Sequence, residues 1–438
     1  MESIYPSATS TSTSSLFDKG KLFLKGIIIF VMALALWIPT YFIKGVIGER
    51  ESRQREAIAD ISNKWAGNQT VTGPVLLVPY LEDTRNSNGI PVVVRHTAVF
   101  MPSKTDIQSE IIPEKRHRGI YQVVVYRSNI SISGKFDSLK WEQLKVAPGR
   151  ILWQEAKLMF HVTDNLKGIN EDLYVNWDNS NILFNPAGET GMQDALTAAL
   201  PFSQEQAAQG HSFQLKFSLN GSEKLLFAAS ARENKITMRS SWKDPSFTGV
   251  KLPDERKVSD SGFVASWKYM NRAVPMVWKD NVYDLKQASF GSDLIIAVDG
   301  YDKTQRSVKY ALLCIILTFA SFFLIESIYK KQLHLVQYGL AGLALVLFYT
   351  LLLSISEYLG FNTAYLIAGI ATIGLVTWYV GNIMGSSRLA IFISFVLTIV
   401  YAYIFSIIQL QDYSLLMGSI GLFIALGVIM FFSRKLQW

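Results

Sequence analysis

Two hydrophobic patterns divide the 438-residue chain. Six segments are continuously apolar over about 20 residues, the length a helix rising 1.5 Å per residue needs to cross a hydrocarbon core about 30 Å thick. The first covers residues 22–43 (LFLKGIIIFVMALALWIPTYFI), with Lys25 near enough to its start to snorkel to the interface. No small-residue cleavage site follows Ile43, and the apolar run is too long for a signal peptide, so it reads as a retained anchor. The other five follow end to end at 310–329, 333–356, 361–384, 389–411 and 413–433. Linkers of only a few residues force these helices to run antiparallel in sequence order, as one bundle.

Between the first and second apolar segments the pattern changes twice. Residues 44–67 are rich in helix formers and place Ile58, Ile61 and Trp65 on one helix face, which predicts a stalk. From residue 68 the period becomes that of strands: VTGPVLLVPY, PVVVRHTAVFM, YQVVVYRSNISISGKF, ILWQEAKLMFHV, HSFQLKFSLNG, KLLFAAS, KITMRSSW, GFVASWKYM and DLIIAV, punctuated by Gly, Pro, Asn and Asp. Only residues 191–210 interrupt, where Ser203 and Gln206 have capping-box spacing. The pattern predicts a membrane protein: a six-helix transmembrane bundle of one plus five spans, with a large β-rich, antiparallel sandwich-like domain (68–309) inserted between spans 1 and 2. A Ser/Thr-rich tail (1–21) without apolar periodicity and a short C-terminus (434–438) complete it.

Charge orients this layout. All but thirteen of the 77 ionised Lys, Arg, Asp and Glu side chains lie between Lys44 and Lys309, so that region faces water. Six spans put both termini on one side. Lys19, Lys21, Lys25, Lys330, Lys331, Arg388, Arg434 and Lys435 all fall on the side of the termini, while the short opposite turns carry only Glu357 and Asp412. The positive-inside rule then places both termini in the cytoplasm and the β-rich domain outside; Lys44, Arg50, Arg53 and Arg55 run against it, in a long translocated segment the rule largely exempts. The net charge of +7 thus records orientation, and with no basic stripe in the middle region no nucleic-acid partner is expected. The single cysteine, Cys314, lies in an apolar segment and excludes a disulfide scaffold.

One stretch carries a family signature. From Ile236 the chain reads ITMRSSWKDPSFTGVKLPDERKVSDSGFVASWKY, and the elements SxW, PSFxG, LP, RxV and GFxAxW at this spacing resemble the CreD family of bacterial inner-membrane proteins. The resemblance begins at GPVLLVPY (73–80), continues through KYALLCIILTFASFFLIE and LHLVQYGLAGLALVLFYTLLLSISEYLGFNTAYLIAG, and covers nearly the whole chain. The chain departs from it at His334-Leu335, where the family has His-Pro, and around residues 180–209. The resemblance implies a role in cell-envelope integrity, membership of a two-component regulon and a link to colicin tolerance. It brings no reaction, cofactor or catalytic residue.

Candidate chemistry is sparse. Trp242, Phe247, Phe263 and Trp267 could line a groove for a glycan or lipid head group, with Arg256 pairing an anionic group; the competing reading makes the rings core and Asp244-Pro245 and Gly249 turn formers. The five histidines (His96, His117, His161, His211, His334) have no metal-ligand spacing, and no phosphate-binding loop or nucleophile elbow occurs. Ser327 with Lys330 matches S-x-x-K and 259–261 reads SDS, both short enough to arise by chance. Glu326 and Lys330 are spaced for an i,i+4 surface ion pair. Gly381 and Gly385 have GxxxG spacing, read as helix packing. The expectation is a non-enzymatic inner-membrane protein without cofactor, metal or catalytic residues. Its partners would be the lipid bilayer and an envelope component or membrane protein bound through the outside domain. The alternatives are a transporter or channel subunit, for which Thr318, Ser321, Asn362 and Thr377 are the polar candidates, and an envelope-modifying enzyme, which would need converging ionisable groups in that domain.

Overall fold

The computed structural model describes residues 13–163, 166–188, 195–280, 282–294, 299–329, 333–410 and 414–433. The chain divides into two compact units, Gln54–Ala297 and the helical unit Met1–Arg53 with Val298–Trp438. Its helices are α1 (Thr13–Ala35), α2 (Trp37–Trp65), the one-turn α3 (Gln204–Ala207), α4 (Asp299–Lys309), α5 (Ala311–Tyr329), α6 (Leu335–Leu359), α7 (Phe361–Met384), α8 (Ser387–Gln409) and α9 (Ser414–Ser433).

The first unit is built from strands. In chain order they are β1 (Gln69–Arg85), β2 (Pro91–Phe100), β3 (Lys104–Arg118), β4 (Tyr121–Phe136), β5 (Lys157–Val162), β6 (Tyr174–Trp177), β7 (Ser180–Leu183), β8 (Asn185–Pro186), β9 (Ala195–Ala199), β10 (His211–Ser222), β11 (Lys224–Ala228), β12 (Glu233–Ser240), β13 (Ser246–Gly249), β14 (Glu255–Ser259), β15 (Gly262–Met270), β16 (Val277–Lys279) and β17 (Ser289–Asp293). One sheet has the order β13-β17-β11-β1-β5-β9-β8, with β2 and β16 branching from β1; the other runs β14-β15-β12-β3-β4-β10-β6-β7. Pairing is antiparallel except at β1–β11 and β3–β12, so the sheets are mixed where alternation alone suggested antiparallel ones. Alternation reports burial on a face and carries no strand direction.

The burial pattern explains which segments lie where. Residues 71–80 of β1 are buried without interruption, as a continuous apolar run requires when a strand is covered on both faces. One face joins Leu76, Val78 and Tyr80 to a core shared with Ile107, Ile132, Phe160, Leu215, Phe227, Ile236 and Trp267; the other packs Val75 and Leu77 against Val99, Trp278 and Leu285. β10 instead alternates buried and exposed over residues 211–217, leaving a polar outer face. The long β3, rich in charge and containing Pro113, escaped the sequence pattern, whereas β4 and β15 match it residue for residue. Of the strand expected at 293–298, Asp293 ends β17, and residues 295–298 are outside the described segments. The capping box at α3 forms, with the Ser203 hydroxyl accepting from the Gln206 N–H at 3.2 Å and the Gln206 side chain accepting from the Ser203 N–H at 2.7 Å.

In the helical unit, α1 and α2 meet at Leu36, three residues before Pro39, whose missing N–H leaves the Ala35 carbonyl without its helical donor. Among the described residues, four helices are long and apolar enough to cross a membrane (Leu24–Trp65 counted as one, then α6, α7 and α8), or five if α4 and α5, bent by 44° at their junction, form one broken span. α9 adds a further apolar helix of 20 residues. α6 divides into two apolar faces: Tyr338, Ala341, Leu345 and Leu352 are buried among helices, while Leu340, Leu343, Leu347 and Leu351 remain exposed. An exposed leucine stripe of this length suits lipid contact.

The two GxxxG glycines divide the work: Gly381 lies against α8, where a Cβ would come 3.4 Å from the Ala390 side chain, as helix packing requires. Gly385 caps α7 in the left-handed region (φ 56°) and donates to the Gly381 carbonyl at 3.0 Å. At the start of α6, where the proline is absent, His334 caps the helix instead, its Nδ1 accepting from Val336 N–H at 3.3 Å and its N–H donating to the Gln337 side chain at 3.0 Å.

Candidate functional site

The aromatic motif lies on strands β12 to β15 and their turns. Phe263 and Trp267 are 3% and 1% exposed and belong to the core between the sheets. Phe247 and Trp242 are half-buried against that core, Phe247 standing edge-on to both Phe263 (5.6 Å) and Trp267 (5.8 Å). The indole N–H groups are both satisfied by backbone, Trp267 donating to Lys251 O at 3.2 Å and Trp242 to Asp244 O at 3.1 Å. Gly262, at φ 126°, turns the β14–β15 hairpin; a Cβ there would lie 2.0 Å from the Ser240 carbonyl oxygen. Arg256 lies exposed on β14, directly across from Ala265 of β15. The SDS segment lies in the same hairpin turn, where the Ser259 and Ser261 hydroxyls bond each other at 2.9 Å.

A cleft opens elsewhere on this unit. Four adjacent strands in the middle of the eight-stranded sheet (β12, β3, β4 and β10) line a cavity of about 440 Å³ with Gln108, Glu110, Asn129, Ser131, Lys216, Thr237 and Arg239, over Ser109, Ile130 and Phe217. Register assembles it. Arg239 lies opposite Glu110 and Glu110 opposite Asn129; in the next row Thr237 lies opposite Gln108, Gln108 opposite Ser131 and Ser131 opposite Lys216. The alternate residues Ile107, Ser109, Ile130 and Leu215 point inward and are buried, which is why the sequence between them can be polar. No side chain of the seven has a hydrogen-bond or ion-pair partner among the described residues. None of the seven belongs to the aromatic motif. Their sequence signal, polar residues alternating with apolar ones, is that of any solvent-facing strand; only the pairing of β3 with the distant β12 and β4 with β10 gathers them.

Other polar clusters have identifiable structural work. His211, 7% exposed, lies between the Trp177 and Phe202 rings (5.2 and 5.1 Å) with Nδ1 2.5 Å from Asp178 Oδ2 and Nε2 2.9 Å from Gln206 O. Burial pushes the Asp178 carboxyl up, but hydrogen bonds from His211 and from the Ser212 N–H and hydroxyl outweigh it and hold Asp178 below the ordinary aspartate value. His96 bridges Asp280 (3.0 Å) and Glu82 (3.7 Å) and stacks on Tyr80. Burial, then the nearby Asp280 and Glu82 carboxylates, push the Tyr80 phenol up to about 12. Among the described residues no group of three or more His, Cys, Asp or Glu is arranged to hold a metal.

In the helical unit, Glu326 is 6% exposed and pairs with Lys25 of α1; it also accepts from the Tyr338 hydroxyl at 3.0 Å, while Lys25 donates to Leu333 O at 2.7 Å. The expected partner Lys330 and the Ser327 side chain lie outside the described residues. A second pair joins Arg50 to Glu357 at 3.8 Å, Glu357 also accepting from Tyr301 at 3.0 Å. Of the polar span residues, Thr318 and Ser321 turn back to carbonyls four residues earlier at 2.7 and 2.8 Å, and Asn362 accepts from Gln409 at 2.6 Å. Thr377 Oγ1 is buried and unpartnered.

The family model described as "Inner membrane protein CreD" matches residues 21–438. The chain belongs to the CreD family. It is 28% identical over 429 residues to the inner membrane protein CreD of Escherichia coli (strain K12), covering 96% of this chain and 94% of that protein. Family membership and the apolar helices together make this CreD-family chain a multi-pass inner-membrane protein.

Proposed function

We propose that this CreD-family protein maintains the cell envelope without catalysing a reaction, by binding an envelope component in the cleft on β12, β3, β4 and β10. The observation that carries this reading is the cleft itself: seven hydrogen-bonding side chains converge on one cavity without partners of their own. Surface polar groups ordinarily scatter, and a concave site with convergent polar groups is the form a binding site takes. In this reading six spans anchor the chain, both termini lie in the cytoplasm, and the β-rich unit stands outside it. The two ion pairs support that layout. Lys25 and Arg50 lie on opposite sides of the uncharged run 26–43, about 27 Å along a helix and close to the membrane core of about 30 Å.

The test is complementation. In a bacterium deleted for its own CreD-family protein, the wild-type chain is expected to restore resistance to detergent with EDTA. Gln108→Ala/Asn129→Ala is expected to reach the membrane at the wild-type level yet leave cells as sensitive as the deletion strain. Full resistance from that variant would remove the cleft from the function.

A further inference from the structure

We infer that the cleft takes an uncharged saccharide bearing hydroxyl and acetamido groups; this rests on the reading of the cleft as a binding site and names its ligand class. Three features of the site select that chemistry. First, the lining is built mainly from neutral hydrogen-bonding groups. Gln108 and Asn129 each offer a donor and an acceptor, and Ser131 and Thr237 add hydroxyls that do both. A ligand able to answer all of them must itself be dense in donors and acceptors, as a saccharide is and an acyl chain is not.

Second, the charges have mixed sign. Glu110 lies directly between Arg239 on β12 and Asn129 on β4, with Lys216 on the far strand. A polyphosphate or nucleic acid would meet a carboxylate in the middle of its path, and the field needed to recruit it is broken there. Glu110 and the two basic groups are suited to accept from and donate to individual hydroxyls and amides, as charge-assisted hydrogen bonds.

Third, the strands are interior. β12, β3 and β4 are paired on both sides; β10 is paired to β6 over Phe213–Leu215, and beyond it the Ser218 and Asn220 N–H groups are taken by the Glu171 side chain and the Gly168 carbonyl. An extended peptide binds a sheet by adding to an edge, and this face offers none. Three strand spacings give the site a length of about 14 Å. Tyr174, 49% exposed on β6 beside β10, continues the outer face with an aromatic ring, its neighbour Val175 being buried. An elongated, shallow, polar trough ending near an exposed ring fits several linked sugar units lying across the strands.

The full-length protein in lipid nanodiscs would be titrated with N-acetylglucosamine tetramer and followed by calorimetry and saturation-transfer NMR. Saturable binding is expected, changed little between low and roughly 0.5 M salt, where exposed charge interactions are screened. Gln108→Ala/Asn129→Ala should weaken it about tenfold or more, equivalent to ~1.4 kcal/mol. Both replaced side chains are exposed and unpartnered, so an unchanged melting temperature is the accompanying expectation. Absence of saturable binding to the wild type would overturn the saccharide assignment. If the same variant still fails in cells, the cleft stands as a site for another ligand; if it complements fully, the site reading falls as well. Binding unaffected by the double substitution would place the saccharide elsewhere and overturn the inference. So would tighter, steeply salt-dependent binding of a polyphosphate probe to the cleft.

Discussion

Asp178 shows how much one residue does in this fold. With Asn179 it forms the two-residue β6–β7 turn, both at positive φ (45° and 72°), a conformation these short polar side chains tolerate. Its carboxylate then accepts from His211 and Ser212 of β10, pinning the turn to the sheet. Because its folded pKa is lowered, the stabilisation is present above the ordinary aspartate range near 4 and is lost as pH falls through the depressed folded value. Asp178→Ala is expected to destabilise the protein at neutral pH by about 1–3 kcal/mol, the cost of leaving a largely buried group such as His211 without its hydrogen-bond partner. It should also flatten the loss of stability on acidification, read by thermal unfolding across pH 3–7. Equal acid sensitivity in variant and wild type would remove Asp178 as the cause.

Among elements, the first span is held to the helices that follow by charge as well as by packing. Glu326 is buried, and removing Lys25 takes away its ion partner among the described residues; the loss for breaking a buried pair is about 3–5 kcal/mol. Lys25→Met is therefore expected to lower the melting temperature of the detergent-solubilised protein markedly, while Lys25→Met/Glu326→Gln should recover most of it, since no charge then remains buried without a partner. A double variant as unstable as the single one would show that packing at Lys25, not charge, matters. The i,i+4 spacing of Glu326 and Lys330 is a local rule, and Lys330 lies outside the described residues; the pair with Lys25 is set by which helix lies alongside, which is not a local property.

For the whole molecule, the expected orientation is tested at two points. Gly89, exposed in the β1–β2 turn, lies beyond the last strand pair, Arg85 with Pro91, so an insertion there gives up only the turn's own bonds, such as that from the Gly89 N–H to Asn86 O. A reporter active only outside the cytoplasm is expected to work at Gly89 and to be silent after Trp438; the reverse pair of outcomes would invert the topology.

Hydrophobic pattern alone determined that the chain has long apolar helices and a water-facing β-rich segment, because burial in lipid and in a half-buried sheet leaves periods of its own in the sequence. It also marked β4, β15 and the α3 cap, whose causes lie within a few residues. It could not find β3, whose charged outer face and Pro113 mask the alternation, or the parallel neighbours β1–β11 and β3–β12. The aromatic motif was legible as a cluster, yet its consequence, Phe263 and Trp267 in the core with Trp242 and Phe247 at its margin, depends on which sheet closes over it. The cleft is the clearest case. Gln108, Asn129, Lys216 and Arg239 are ordinary solvent-facing strand residues taken singly, spread over more than a hundred positions. Strand order and register, fixed by long-range backbone pairing and the shared core beneath, bring them onto one face, and only the tertiary structure could make that choice.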